Sequence, residues 1–294
     1  MTTLCSLITQ QQRSFDITFC AIIKVIALLV FCNAKEARGF SFIPQPAGLS
    51  SQQIIDLAQK RYNQYGNASP MAGRTAVITG AAGGIGGELS RAVQSLGGTV
   101  VALDRNETGL SMLQQSLGDG IICIPTNHED LSSVARSAEE IKSRFRSVDL
   151  LINNAGLTYR DDCVPGQERM KSKHGKDLAF TVNYLSHFLL VEKLMSCLQS
   201  SSYGRIVHLT SSYHWKVDGS ELVPCSDIGP LAYQSDPAKM SERHISRSYA
   251  NTKLAQIWHS RSIQGCSSVC ACVSTSVQAI ACISNFFNLT VPSA

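Results

Sequence analysis

Tyr249 and Lys253 stand four residues apart in Ser248-Tyr-Ala-Asn-Thr-Lys253, a stretch that reads as helix. That spacing puts a phenol and an ammonium on one helix face. A free tyrosine, with a pKa near ~10, is only about 0.1% ionised at neutral pH. A neighbouring cation favours the charged form and makes the phenol a usable proton acceptor. Taken alone, the pair reads first as a surface Tyr and Lys on an amphipathic helix, so the elements that would position it decide its meaning.

Upstream, the β-branched apolar run Thr75–Thr79 leads directly into Gly80-Ala-Ala-Gly83-Gly84-Ile85-Gly86-Gly87 and then into a helical pattern through Leu89, Val93 and Leu96. This is strand, glycine turn, helix. The glycines allow a tight turn and let a pyrophosphate approach the N–H groups at the helix N-terminus, where the dipole favours negative charge. The next strand, Thr99–Leu103, ends in Asp104 about 18 residues beyond the turn, where a carboxylate can accept both hydroxyls of an adenosine ribose. Asp104 favours NAD, and Arg105 beside it, able to hold a 2′-phosphate, leaves NADP open. A third strand at Ile121–Ile124 precedes Thr126-Asn127-His-Glu-Asp130 and a helix with Leu131, Val134, Ala138 and Ile141 on one side. A fourth, Val148–Ile152, runs into Asn153-Asn154-Ala155-Gly156. The alternation predicts an α/β fold, a Rossmann-type doubly wound parallel sheet with helices on both faces.

Thr79-Gly80-x-x-x-Gly84-Ile85-Gly86, then Asn153-Asn-Ala-Gly156, then Tyr249-x-x-x-Lys253, in that order, resemble the short-chain dehydrogenase/reductase family over roughly residues 72–262. The resemblance implies that Thr79, Gly80, Gly84, Ile85 and Gly86 bind a dinucleotide and that Asp104 selects its ribose. Asn153, Ala155 and Gly156 would line the adenine and ribose side, and Asn127 stands where the family usually carries an aspartate near adenine. A helix between Asp177 and Gln199 is expected to bury Phe180, Leu185, Phe188, Leu189 and Leu194, with Asn183 among them. Asn183 is either a satisfied packing amide or, as the resemblance implies, the holder of a water that relays protons to the lysine. The strand Gly204–Leu209 ends in Thr210-Ser211-Ser212; register against the family makes Ser211 catalytic, Ser212 the fallback and Thr210 structural. Tyr249 would be the general acid/base, and Lys253 would lower its pKa and hold the nicotinamide ribose. The implied activity is NAD(P)-dependent interconversion of an alcohol and its carbonyl. Thr181–Phe188, Ser248–Ala255 and the long connection carrying His214, Trp215, Pro230, Tyr233 and Pro237 resemble the retinol- and hydroxysteroid-dehydrogenase branch, which implies a lipophilic substrate. His187 and His214 read as ordinary core or surface histidines, or as substrate contacts.

The 294 residues, 44% hydrophobic and 16% charged, allow one large domain. We expect a catalytic domain over residues 71–294 behind an N-terminal extension, residues 1–70. The 26 Lys and Arg are scattered and the formal net charge is +4, so no nucleic-acid partner is implied. None of the eleven cysteines forms Cys-x-x-Cys, and no metal is expected. Cys123 and Cys197 sit in apolar runs as reduced, buried thiols, whereas Cys266, Cys270, Cys272 and Cys282 match no site. Residues 17–34 hold an apolar run broken by Lys24, read as a signal peptide, a membrane anchor or a plain buried segment. Residues 35–70 read as linker with a short helix near Ser51–Tyr62. An anchored chain would sit at an endoplasmic-reticulum-type membrane and otherwise in the cytoplasm. Asn106 lies in a glycosylation sequon where the cofactor should be, which argues for a non-luminal domain. Past the Tyr249 helix the resemblance implies a sixth strand, a Pro-Gly turn, a substrate-covering segment and a seventh strand. The sequence Val269–Gln278 carries no Pro-Gly, so the C-terminal strand and substrate lobe are expected to be incomplete. A truncated dinucleotide-binding protein without turnover, with a regulatory or partner-binding role, is the alternative function, and a homodimer is left open.

Overall fold

The structure is a computed structural model that describes residues 71–158, 171–222, 242–266, 270–275 and 279–281. The apolar segment at 17–34, the linker helix and most of the connection before Tyr249 lie outside the described residues.

Among the described residues seven strands, β1 (Thr75–Thr79), β2 (Thr99–Asp104), β3 (Ile121–Pro125), β4 (Leu150–Asn153), β5 (Arg205–Thr210), β6 (Cys270–Thr275) and β7 (Ala279–Ala281), form one sheet in the order β3-β2-β1-β4-β5-β6-β7. β1 to β6 pair in parallel, and the three residues of β7 return antiparallel on β6. The parallel sheet expected from the alternating pattern is therefore present. Strand order reverses between β1 and β4, and at such a switch point the carboxyl ends of the strands leave a crevice for ligand.

The strands are apolar throughout because both faces are covered. On one face Ala76, Ile78, Val100, Ala102 and Ile152 pack against Leu89 and Val93 of α1 (Gly84–Ser95) and Leu110 and Leu113 of α2 (Glu107–Leu117). On the other, Val77, Val101, Leu151 and Ile206 meet Val134, Ala138 and Ile141 of α3 (Leu131–Arg144) and Leu190 and Leu194 of α4 (Ser186–Gln199). Period-two alternation along each strand feeds both layers. Truncating a fully buried member such as Ile141 to alanine would cost about 2–5 kcal/mol.

The chain enters α4 through a helical turn at Leu178–Phe180, opened by Asp177, whose Oδ1 accepts the Phe180 N–H at 2.7 Å, and then through a π-turn at Thr181–Leu185. The widened turn alters which residues face inward. Phe188, expected in the core, is 40% exposed, while Ser186 and His187 are fully buried. Both polar side chains are hydrogen-bonded there: Ser186 Oγ donates to Val182 O at 2.8 Å, and His187 Nδ1 lies 2.9 Å from Asn183 O. Hydropathy ranks phenylalanine inward and cannot see those partners.

Candidate active site

The glycine turn is fixed by close approach. Gly80 has φ +64, and a Cβ at Gly86 would fall 2.0 Å from Gly80 O, so neither position readily takes a side chain. A Cβ at Gly84, by contrast, meets nothing within 4 Å. No side chain caps the first turn of α1, so its N–H groups and positive dipole end lie beside that open space. Ile85 is half-buried and packs on the adjoining core.

Asp104 closes the far side of this cradle. Its Oδ2 accepts the Ala82 N–H and its Oδ1 the Asn106 N–H, each at 2.9 Å, which ties the tip of β2 to the turn. Arg105 reaches Glu129 at 2.5 Å, and Asn127 Oδ1 accepts the Glu129 N–H at 3.0 Å. Asn106 is engaged as the N-cap of α2, accepting the Gly109 N–H at 3.0 Å. The segment after β4 is fastened from below: Thr79 Oγ1 accepts the N–H groups of Asn154 and Ala155, each at 2.9 Å, and Asn154 Nδ2 donates to Thr79 O at 2.8 Å. Asn153 is fully buried and turns its amide to His208 Nδ1 at 3.3 Å. Asn183 stands behind Gly156, its Oδ1 3.4 Å from where a Gly156 Cβ would lie. That oxygen accepts the Leu157 N–H at 2.8 Å, while Asn183 Nδ2 donates to Leu157 O and Thr252 Oγ1.

The helix α5 (Glu242–Cys266) brings Tyr249 and Lys253 to the end of β5. Thr210 docks it: its hydroxyl donates to Lys253 O at 2.8 Å. Ser211 is buried, and its hydroxyl lies close enough to the Tyr249 phenol to favour the ionised form. Tyr213 packs edge-on against Tyr249, ring centroids 5.7 Å apart. The Lys253 ammonium is buried, donates to Leu209 O at 2.8 Å and to Gln256 Oε1 at 3.2 Å, and lies 5.4 Å from the centroid of the Tyr249 ring. Burial pulls Lys253 down to about 8. Burial also pushes the Tyr249 phenol up, the Ser211 hydroxyl pulls it back, and Tyr213 adds to the rise. The lowering expected from Lys253 is not found: its ammonium is bonded to Leu209 O and Gln256 Oε1, and burial decides the direction at Tyr249.

The structure gathers Ser211, Tyr249, Lys253 and Asn183 at one end of the sheet, across from the glycine turn and Asp104. Sequence reasoning passed over Gln256, Thr252, His208 and His259. For Gln256 a signal existed, since it lies three residues after Lys253 on the same helix face. Among the described residues, no group of three or more His, Cys, Asp and Glu could hold a metal, and no helix is long and apolar enough to cross a membrane.

Comparison with known proteins agrees with this geometry. The family model for short chain dehydrogenase matches residues 74–219. The chain is 29% identical over 199 residues to the chloroplastic short-chain dehydrogenase TIC 32 A of Brassica napus, covering 64% of this chain and 57% of that protein. It is 33% identical over 144 residues to the 3-oxoacyl-(acyl-carrier-protein) reductase of Rickettsia bellii, covering 48% of this chain and 55% of that protein. The chain thus spans little more than half the length of the curated relatives it matches. Among solved structures, a short-chain dehydrogenase/reductase of the glucose/ribitol dehydrogenase type from Brucella melitensis superposes with a TM-score of 0.50 at 20% identity, covering 68% of this chain and 72% of that one. The match runs through residues 74–219, which carry β1 to β5 and the glycine turn, and over that part the chain is similar to the short chain dehydrogenase family.

Proposed function

We propose that the chain is an NAD(P)-dependent oxidoreductase that interconverts a lipophilic alcohol and its carbonyl, with Tyr249 as general acid/base. The single observation that carries this reading is the convergence of buried Ser211, the Tyr249 phenol and the buried Lys253 ammonium at the carboxyl end of β5. Two hydroxyls that meet there can both reach one substrate oxygen, so Ser211 would orient that oxygen while Tyr249 gives or takes its proton. Lys253 on the same helix face would hold positive charge behind the phenol. Asn183, bonded to the Gly156 segment and to Thr252, would keep the catalytic helix in register with the cofactor side.

The cradle fits a dinucleotide. Gly86 has no room for a Cβ, Gly84 opens to free space, and the first turn of α1 presents uncapped N–H groups to an anion. Gly80, Gly84, Ile85 and Gly86 would hold the pyrophosphate, Asp104 the adenosine ribose, and Ala155 and Gly156 the adjoining surface. A bound nicotinamide would supply or accept the hydride. The aromatic rim after Ser211, with Trp215 82% and Tyr213 41% exposed, supports an apolar substrate.

Full-length protein assayed with NADH and NADPH against retinoid, steroid and aliphatic carbonyls tests the reading. Turnover that disappears in Tyr249→Phe while cofactor binding persists supports it. Turnover that survives the substitution would overturn it. Cofactor binding without any turnover in the unaltered protein favours the second reading, a dinucleotide-binding regulator, for which the ammonium directed away from the phenol is the favouring observation.

A further inference from the structure

We infer that Gln256 is a positioning residue for Lys253: its side-chain amide bridges the lysine ammonium to the main-chain carbonyl of Asn183 and so sets where the ammonium points. The inference deepens the oxidoreductase reading and rests on it for its catalytic consequence.

Gln256 follows Lys253 by less than one turn of α5 and is completely buried. Its Oε1 accepts from Lys253 Nζ at 3.2 Å, and its Nε2 donates to Asn183 O at 2.8 Å. A carbonyl oxygen has two lone pairs. His187 Nδ1, at 2.9 Å from Asn183 O, takes the other one. An ammonium has three hydrogens, and Leu209 O and Gln256 Oε1 take two of them.

The directions of these bonds follow from chemistry. Asn183 O can accept but not donate, so His187 Nδ1 must carry a proton. Burial holds the His187 imidazole neutral, so its Nε2 is an acceptor, and at 3.0 Å the Thr79 hydroxyl donates to it. Thr79 Oγ1 in turn accepts from Asn154 N and Ala155 N. Two donor chains therefore meet at Asn183 O, one from the segment lining the cofactor side and one from Lys253, and Gln256 is the link on the lysine side. An amide in that place accepts from the ammonium and donates to the carbonyl in one fixed sense. A water could exchange those roles and pass a proton, but an amide does not. Gln256 thus aims the ammonium and leaves its third hydrogen as the exchangeable one.

The test is a titration of Lys253 by NMR in full-length protein carrying 13C-labelled lysine, the resonance assigned with Lys253→Arg, alongside the pH profile of kcat. The unaltered protein should titrate near 8. Gln256→Leu removes an acceptor from a buried ammonium and should move the midpoint down by about one unit, ~10-fold in the dissociation constant. Gln256→Glu, of nearly the same shape, should move it up by at least as much, and it decides the matter alone if Gln256→Leu does not fold. A limb of the kcat profile should move with each midpoint. Midpoints unmoved in every variant that folds overturn the inference. Shifted midpoints in a protein that turns nothing over leave the positioning intact and overturn the enzyme reading, whereas turnover with unmoved midpoints does the reverse.

Discussion

The hydroxyl of Thr79, the last residue of β1, lies 3.0 Å from Nε2 of His187 behind the sheet. The same oxygen accepts the main-chain N–H groups of Asn154 and Ala155, so one threonine fastens the segment after β4 to the helix that carries Asn183.

Thr79→Val keeps the shape of the side chain and removes these three bonds together with the longer one to Ile152 O. Each partly or fully buried group left unpaired costs about 1–3 kcal/mol. We expect a loss of at least ~3 kcal/mol in urea unfolding and weaker NADH binding, with Thr79→Ser close to the unaltered protein. Equal stability of Thr79→Val and the parent would show that the hydroxyl is not the anchor.

Gly84 and Gly86 should separate folding from ligand binding. An alanine Cβ at Gly86 collides with the Gly80 carbonyl, so Gly86→Ala must distort the turn and lower both the melting temperature and cofactor affinity. At Gly84 the Cβ meets nothing, so Gly84→Ala should melt like the parent. If a pyrophosphate occupies that space, the same variant loses cofactor affinity by ten-fold or more, read by NADH fluorescence. Unchanged affinity in Gly84→Ala would move the phosphate site elsewhere.

How much of this was legible in the sequence depends on the range of the interaction. β1 to β5 stand out because strands covered on both faces are continuous apolar runs, and their observed bounds differ from expectation by at most two residues, as at Val148 against Leu150. The glycine turn and the Tyr249–Lys253 face are local geometry and were equally plain. Gln256 shares that helix face, but its bond to a carbonyl 73 residues away is not local and spacing could not show it. His187, which reads as an ordinary histidine or a substrate contact, is buried and hydrogen-bonded, while Phe188 beside it faces outward. Helical spacing also placed Lys253 beside Tyr249, but it could not tell that Leu209 and Gln256 would claim the ammonium.

Cofactor choice follows from Asp104 and Arg105. The carboxylate is held by two backbone N–H groups at the rim of the cradle, and Arg105 is turned to Glu129. NADH should therefore bind more tightly than NADPH. Glu129→Gln releases the guanidinium toward a 2′-phosphate. Because the Arg105 side chain is 64% exposed, the pair is worth no more than ~1 kcal/mol, and the preference should narrow by about five-fold at most. Dissociation constants for both dinucleotides, with and without the substitution, check this. A parent that prefers NADPH would contradict it.

Acid should unfold the protein through four buried histidines. His128 and His187 pack ring to ring at 5.2 Å, as do His208 and His259. Burial, first among the causes for each, pulls His128 and His259 down to about 4 and holds His187 and His208 well below their ordinary range. The neighbouring charges differ: Asp104 pulls His128 back up, while Lys253 adds to the lowering at His187 and His208. Unfolded histidines take up protons near ~6.5, where the folded ones do not, so the unfolded chain binds more protons between about pH 6.5 and 4. Stability is then complete above pH 6.5 and falls with pH through that window, by up to ~1.4 kcal/mol per pH unit for each histidine. Four together approach ~5 kcal/mol per unit, enough to exhaust an ordinary domain's stability within about two units. His259 is the residue to change, because neither of its ring nitrogens has a hydrogen-bond partner and Phe188 lies 4.8 Å away, centroid to centroid. His259→Phe should keep the packing and reduce the pH slope of urea stability by close to one proton between pH 5 and 6. A slope unchanged by that substitution would show that His259 contributes nothing to the acid transition.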